Sequence, residues 1–325
     1  MTSLRSRVKD NRPLRAGLFL AQNAWYGTRS LLPDRAPRPV PAGPGPHHEL
    51  AAMVRVKDEA RFLPEWIAHH VNLGVGHVFV YDNNSTDGIA DVLAPFVERG
   101  LATVVPWPTV PASPGAEIDF LHRFGPACTW VAFFDADELL FETEPGALAT
   151  ALRTYADRPA IAVNWRYYGS SGHETIPPGL VTERFDRADA LYNRHVKVIA
   201  RPAMITRHRN SHNFYYRRGR LAVTAEGRRM LGSFITPPTA PPLVLHHYIY
   251  RSREDYDRKT RRGFVDASGA KERARQIAVA DEEFHRRNDV AAPPPAATTR
   301  TTAELLARLG YPAEIHGLQP EAVES

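Results

Sequence analysis

The chain has 325 residues with a formal net charge of +5, and its 43% hydrophobic and 24% charged content is that of a globular protein long enough to bury a full core. A single cysteine, Cys128, excludes an intrachain disulfide and fits a reducing compartment. Residues 1–48 hold eight Lys and Arg against Asp10 and Asp34, which leaves 33 basic and 34 acidic residues elsewhere, so the composition does not point to a nucleic-acid partner for the folded body.

In chain order, that basic head comes first. Its apolar stretch, Ala16 to Ala24, is broken by Gln22 and Asn23 and falls well short of the roughly 20 residues a bilayer-spanning helix requires. Basic residues beside apolar ones do allow a weak peripheral contact with an anionic membrane surface. Residues 33–46 contain six prolines, a density that no helix or central strand tolerates, so residues 1–48 read as head and linker, with the folded domain starting near Glu49. Met53–Val56 is a short apolar strand. A helix follows, with Pro64 in its first turn, Phe62, Trp66, Ile67, His70 and Val71 at helical spacing, and Gly74 to end it. His77–Tyr81 is a second strand, Ile89–Glu98 a helix closed by Gly100, and Leu101–Val105 a third strand. A helix around Glu117–Phe124 leads to a fourth strand, Trp130–Phe134, apolar throughout. This alternation predicts parallel β-α-β units in a doubly wound sheet, where ligands bind beyond the carboxyl ends of the strands. Near the end of the chain, PPPAATT at 293–299 reads as an interruption before a short helix, Thr302–Leu309, closed by Gly310, so residues 291–325 read as linker and tail.

Three of these strands run into polar clusters: Arg55, Lys57, Asp58 and Glu59 after the first, Asp82 to Asp87 (DNNSTD) after the second, and Asp135, Asp137 and Glu138 after the fourth. The first two have ordinary alternatives, a solvated loop and a helix cap with Thr86 or Asp87 at the N-cap. The third places three carboxylates within four residues of a buried strand. Such crowding is costly without a counter-ion. A divalent cation with oxygen ligands relieves it, and Asp-x-Asp sets two carboxylates on one side of an extended segment. An aspartyl phosphatase also begins this way, but Glu138-Leu139-Leu140 stands where a Gly-Thr-type continuation is expected. No Walker loop and no G-x-S-x-G elbow is present.

With these motifs in place, Lys57-Asp58-Glu59, FLPEWIAHHVNLGVGHVFVYDNNSTDG and FFDADE resemble the family-2-like glycosyltransferases related to glycosyltransferase family 92. The segments at Asn164–His173, Val181–Phe185, Arg194–Pro202 and His246–Gly263 are similar to that family in the same order, so the likeness runs from about Met53 to Gly263. The resemblance implies a GT-A fold: a Rossmann-like, mostly parallel sheet flanked by helices, with a donor-binding half at 49–145 and an acceptor half at 146–290. It implies a nucleotide-sugar donor, UDP by preference, and a glycan or glycolipid acceptor attacked with inversion. By position, Asp135 and Asp137 would hold Mn²⁺ or Mg²⁺, with His247 completing the metal site and His246 as its rival. Arg55, Lys57, Asp82, Asn84, Asp87 and Asp135 would face the donor. His173 and Glu174, after the Gly169–Gly172 turn, are the candidate catalytic pair, with Glu183 and Asp186 as rivals. Many eukaryotic relatives carry a membrane anchor and luminal cysteines; the expectation here is a cytoplasmic enzyme, with association at the inner membrane face left open. A catalytically silent binder of nucleotide sugars or carbohydrate on the same fold is the competing expectation.

Overall fold

The structure is a computed structural model that describes residues 46–262, 284 and 287–316. The basic head up to residue 45 and the last residues of the tail lie outside the described residues. Strands β1 (His48–Val56), β2 (His77–Asp82), β3 (Ala102–Pro106) and β4 (Cys128–Phe133) pair in parallel in the order β3-β2-β1-β4. Helices α1 (Leu63–Asn72), α2 (Ile89–Glu98) and α3 (Gly115–Arg123) connect them. The order reverses at β1, so the switch point lies between β1 and β4, and the two loops that leave it carry Arg55–Glu59 and Asp135–Asp137.

The second half departs from the doubly wound expectation. After β5 (Glu138–Glu142) and α4 (Ala147–Thr154), the chain forms β6 (Ala160–Tyr167), the one-turn helix α5 (Val181–Arg184), β7 (Arg187–Ala188) and β8 (Asn193–Ala200). Strand β8 inserts antiparallel between β4 and β6, because the connection over residues 168–192 brings the chain back at the same end of the sheet instead of crossing to the other. Next comes a separate hairpin, β9 (Ile205–Asn210) with β10 (Asn213–Tyr216). Then β11 (Ala222–Thr224) and β12 (Arg229–Met230) extend the sheet past β6. Strand β13 (Leu243–His247) lies parallel to the later part of β6 and antiparallel to β5. Helix α6 (Arg253–Arg262), β14 (Val290–Ala291, paired with β7), α7 (Ala296–Arg308) and α8 (Ala313–His316) follow. A parallel nucleotide-type half running through Asp-x-Asp into a mixed half is the GT-A plan.

Alternation along β1 serves two cores. Leu50, Ala52, Val54 and Val56 face the layer of α1, α2 and α7, whereas Ala51 and Met53 face the layer of α3 and the β9–β10 hairpin. The expected helix boundaries hold within two residues for the first three helices, and β1 begins five residues earlier than expected because His48–Ala52 pairs with both β2 and β4. The cap of α2 differs: Gly88, at φ +74°, is the N-cap, and Asp87 bonds elsewhere.

The chain end also corrects the sequence reading. Only the prolines of PPPAATT lie outside a helix; Ala296 starts α7, which packs on α1, and Ala303, Leu306, Leu309 and Tyr311 join the same core as α1 and α2. Tyr311 donates from its hydroxyl to the Val92 carbonyl at 2.5 Å. Thus residues 296–311 are part of the domain, and α1 is buried on all sides. That burial explains the polar residues inside α1. His70 donates through Nδ1 to the Trp66 carbonyl (2.8 Å) and accepts the Leu140 amide at Nε2 (3.3 Å). His69 donates to the Leu140 carbonyl at 2.5 Å, and burial pushes its imidazole down to about 4. Glu65 accepts the Val181 and Thr182 amides (2.6 and 3.0 Å) and the Thr182 hydroxyl (2.8 Å), capping α5 from another helix.

Burial dominates at Glu65 and raises its carboxyl from 4.5 to about 7, so the folded chain holds this proton more tightly than the unfolded one. Its contribution therefore favours folding below pH 4.5 and is lost as pH rises to about 7. Urea unfolding of wild type and Glu65→Gln between pH 5 and 7.5 is expected to show wild type losing up to about 3 kcal/mol relative to the variant. The opposite trend of His69, whose stability contribution falls away below its ordinary 6.5, is common to both proteins and cancels in the difference. A pH-independent difference would refute the assignment.

Candidate active site

Strand β4 leaves the core at Phe134 and turns at once. The Asp135 amide donates to Glu138 Oε2 (2.9 Å) and the Glu138 amide to the Asp135 carbonyl (3.1 Å). From α1, the Trp66 indole donates to the carbonyls of Asp135 and Glu138 at 3.0 and 2.7 Å. The two aspartates project from this turn and meet different cations.

Asp135 receives Lys197 Nζ at 2.7 Å and Arg55 Nη2 at 3.3 Å. Lys197 comes from β8 and its side chain is only 1% exposed, whereas that of Asp135 is 37% exposed. Burial opposes the charge on Asp135, but Lys197 and then Arg55 outweigh it and hold the carboxyl below its usual range. Glu138, fully buried, lies 3.9 Å from the same ammonium, and burial keeps its carboxyl well above the usual range. Lys197 is therefore the counter-ion of Asp135, with Glu138 the more distant carboxyl beside them. Arg55 also reaches Glu117 of α3 at 3.2 Å, and His208 of the hairpin lies 3.9 Å from that carboxylate. A cleft lined by Arg55, Glu117, Asp135, Lys197, Asn210 and Ser211 opens here.

Asp137 faces Lys259 of α6 at 2.5 Å and His247 Nε2 at 3.4 Å. Against the cost of burial, Lys259 and His247 keep its carboxyl well below the usual range. Alternation along β13 decides between the two histidines. His247 turns to Asp137, while His246 stacks on Phe141 at 4.0 Å and lies against Tyr168, its pKa driven well down by burial. Among the described residues no three His, Cys, Asp or Glu side chains gather as a metal cage. Asp137 and His247 supply two donors, and His247 Nδ1 is buried without a partner among the described residues. This pair fits a cation whose remaining ligands come from substrate phosphates, the usual manner of Mg²⁺.

The other expected donor residues lie in loops laced to each other. Asp82 accepts the Ser85 amide at 3.0 Å, and Asn84, at φ +60°, donates to the Pro108 carbonyl at 3.1 Å. Asp87 accepts the Ala60 amide at 2.7 Å, and Asp58 accepts the Thr86 amide at 2.7 Å. Asp87 is thus bonded to the neighbouring loop, and Lys57 sits half-buried on that loop. Glu59 pairs with Arg251 (3.0 Å) and Arg262, and Arg251 also pairs with Asp255 (3.0 Å), so an ion network fixes α6 over the first loop. Among the described residues His173 and Glu174 make no hydrogen bond to Asp135 or Asp137. The His173 ring bonds to the Arg184 carbonyl at 2.9 Å and packs on Phe185, and the carbonyls of His173 and Glu174 accept the Arg253 and Glu254 amides that open α6.

Lys197 and Glu117 are not singled out by the sequence, and Lys259 is reached there only as one of the basic run Arg251–Arg262, which the family resemblance brings toward the diphosphate or leaves as a solvated helix face. The signal for Lys197 is a lone charge inside the apolar run of β8, HVKVIA. Lys259 carries no such signal, since it lies in a helix rich in charges throughout.

The profile of glycosyltransferase family 92 matches residues 51–226, which include both aspartates, Arg55 and Lys197. The chain belongs to glycosyltransferase family 92. A family 92 protein of Oryza sativa subsp. japonica is 36% identical over 162 residues, covering 48% of this chain and 27% of its own length. A second, from Ricinus communis, is 29% identical over 239 residues, covering 70% of this chain and 40% of its own. The chain thus spans less than half the length of the curated relatives it matches. Among solved structures, the mannosyltransferase PcManGT from Pyrobaculum calidifontis in complex with GDP-Man and Mn²⁺ aligns with a TM-score of 0.36 at 16% identity, over 92% of this chain and 86% of that one. S. aureus TarS 1–349 in complex with UDP aligns with a TM-score of 0.37 at 15% identity, over 80% of this chain and 71% of that one.

Replacing Lys197 by Met strips Asp135 of its main cation. Chemical denaturation is expected to show a loss of about 1–3 kcal/mol, less than for a fully buried pair because the Asp135 side chain, 37% exposed, keeps part of its hydration. A loss under about 1 kcal/mol would show that Arg55 alone balances the turn.

Proposed function

We propose that this family 92 member is a metal-dependent glycosyltransferase that moves a sugar from a nucleotide donor, UDP-linked, to a hydroxyl of a glycan or glycolipid acceptor with inversion. The observation that carries this reading is the convergence of Asp137, His247 and Lys259 beside Asp135 and Arg55 at the switch point of the parallel sheet. Mn²⁺ or Mg²⁺ held at Asp137 and His247 would supply Lewis-acid neutralisation of the departing diphosphate. The chain's own cations act in the same direction. Lys259, paired with Asp137, is a donor within reach of a phosphate oxygen placed there, and Arg55 orients Asp135 toward the donor cleft. Asp82 and Asn84, at the carboxyl end of β2, face the nucleoside, while Asp87 with Asp58 keeps the two loops in register. Residues 49–145 then form the donor half and 146–290 the acceptor half, with the C-terminal helices closing the first.

For proton removal from the acceptor we assign Glu174, an exposed carboxylate, with His173 anchoring its loop on Arg184. Glu174→Gln is expected to lower kcat by about 10²–10⁴-fold with little change in donor affinity. Unchanged turnover would pass the role to Glu183 or Asp186.

Calorimetric titration with UDP, with and without Mn²⁺, tests the donor site. Metal-dependent binding that disappears in the Asp135→Ala/Asp137→Ala double variant is the expected result. Absence of binding by UDP, GDP and other nucleotides, metal present, would overturn the transferase reading. Binding without release of nucleoside diphosphate from any donor would favour a silent binder.

A further inference from the structure

Charge in this domain is unevenly spread. Residues 194–229 contain nine arginines and Lys197 against one acidic residue, Glu226, although the chain beyond its head is close to neutral. The β9–β10 hairpin shows how part of this excess is arranged. Arg207 and Arg209 alternate onto one face, and their guanidinium groups lie 5.1 and 5.9 Å from the centre of the Tyr215 ring on the facing strand. The opposite face, with Phe214, is buried against Phe133. The hairpin's tip, Asn210 and Ser211, lines the cleft at Asp135 and Lys197, so the arginine face begins at the donor site and leads away from it.

A second row of side chains starts from the same place. Arg209 donates to the Leu231 carbonyl at 2.9 Å, and Leu231 and Phe234 are 46% and 39% exposed. Arg194, also exposed, lies over the Phe234 ring at 5.6 Å. Phe234 touches His195 (4.6 Å between ring centres), His195 stacks on Trp165 (5.0 Å), and Trp165 meets His247 (4.5 Å) beside Asp137. An exposed aromatic ring flanked by arginine is thus packed, through His195 and the buried rings of Trp165 and His247, against Asp137.

We propose that this surface is the acceptor-binding track, and that the acceptor is an anionic glycan chain carrying carboxylate, sulfate or phosphate groups. The proposal rests on the transferase reading above and specifies its acceptor. Arginine forks suit such groups, and residues two apart on a strand place them about 7 Å apart along the chain. Phe234 supplies an apolar face for a sugar ring between them. Among the described residues, neither Arg194 nor Arg207 pairs with a carboxylate, so both guanidinium groups are available for an anion. A nucleic acid or a lipid surface would use the same arginines, but neither requires the basic face to adjoin the cleft at Asp135.

The test is direct binding by the full chain, with a heparin octasaccharide as probe, maltoheptaose as the uncharged control, and a single-stranded oligonucleotide and phosphatidylglycerol vesicles as rivals. The octasaccharide is expected to bind, to resist competition by maltoheptaose, and to lose about tenfold in affinity with a shallower salt dependence in Arg194→Ala/Arg207→Ala. Phe234→Ala is expected to weaken binding without changing the salt dependence, and both variants to keep wild-type UDP affinity and unfolding midpoint. No octasaccharide binding, or equal affinity in the arginine variant, which would trace the attraction to the basic head, overturns the proposal. So does tighter, equally arginine-dependent binding of the oligonucleotide or vesicles. Loss of UDP binding in wild type would instead fail the donor reading and leave this result to be judged on its own.

Discussion

Lys197, a single buried ammonium group, is the pivot of the carboxylate turn. Asp135, Asp137 and Glu138 leave β4 within four residues, and a buried charge without a partner costs several kcal/mol. Lys197 meets this cost for Asp135 from β8, the strand inserted antiparallel beside β4, while Lys259 and His247 meet it for Asp137. The antiparallel insertion and the electrostatics of the turn are therefore one constraint. The mixed half of the sheet supplies the counter-ion of the parallel half, so the two halves are electrostatically joined at the Asp135–Glu138 turn.

Helix α1 does comparable work with neutral groups. Trp66 ties down the carbonyls of the turn, His69 and His70 bond to Leu140 of β5, and Glu65 caps α5. A helix with polar residues at so many buried positions is tolerated because each finds a defined partner. The consequence is positional: α1 brackets β5 and the Asp135–Glu138 turn, so the site is held from the side away from solvent.

Much of this was legible in the sequence because it is local. The apolar strands and the glycines and proline that bound the helices of the donor half follow from short-range rules, and the site's address follows from the switch-point rule. What escaped is what depends on distant partners. Lys197 acquires meaning only when β8 lies beside β4. His246 and His247 are equivalent until β13 is placed between β5 and β6 and alternation separates them. Asp87 reads as a cap, yet its oxygen meets an amide of another loop. The proline-rich stretch before α7 resembles a boundary because composition does not reveal what the next helix packs against.

That last helix has a consequence for how the domain is made. Its contacts join the two ends of the described chain: the Tyr311–Val92 bond spans 219 residues. The core around α1 and α2 cannot be completed until Leu306 and its neighbours, which follow every strand of the main sheet in the chain, have been made. Loop-closure cost must be met before those contacts form. On the ribosome, then, the parallel half of the sheet waits with an open apolar flank until residues 296–311 emerge.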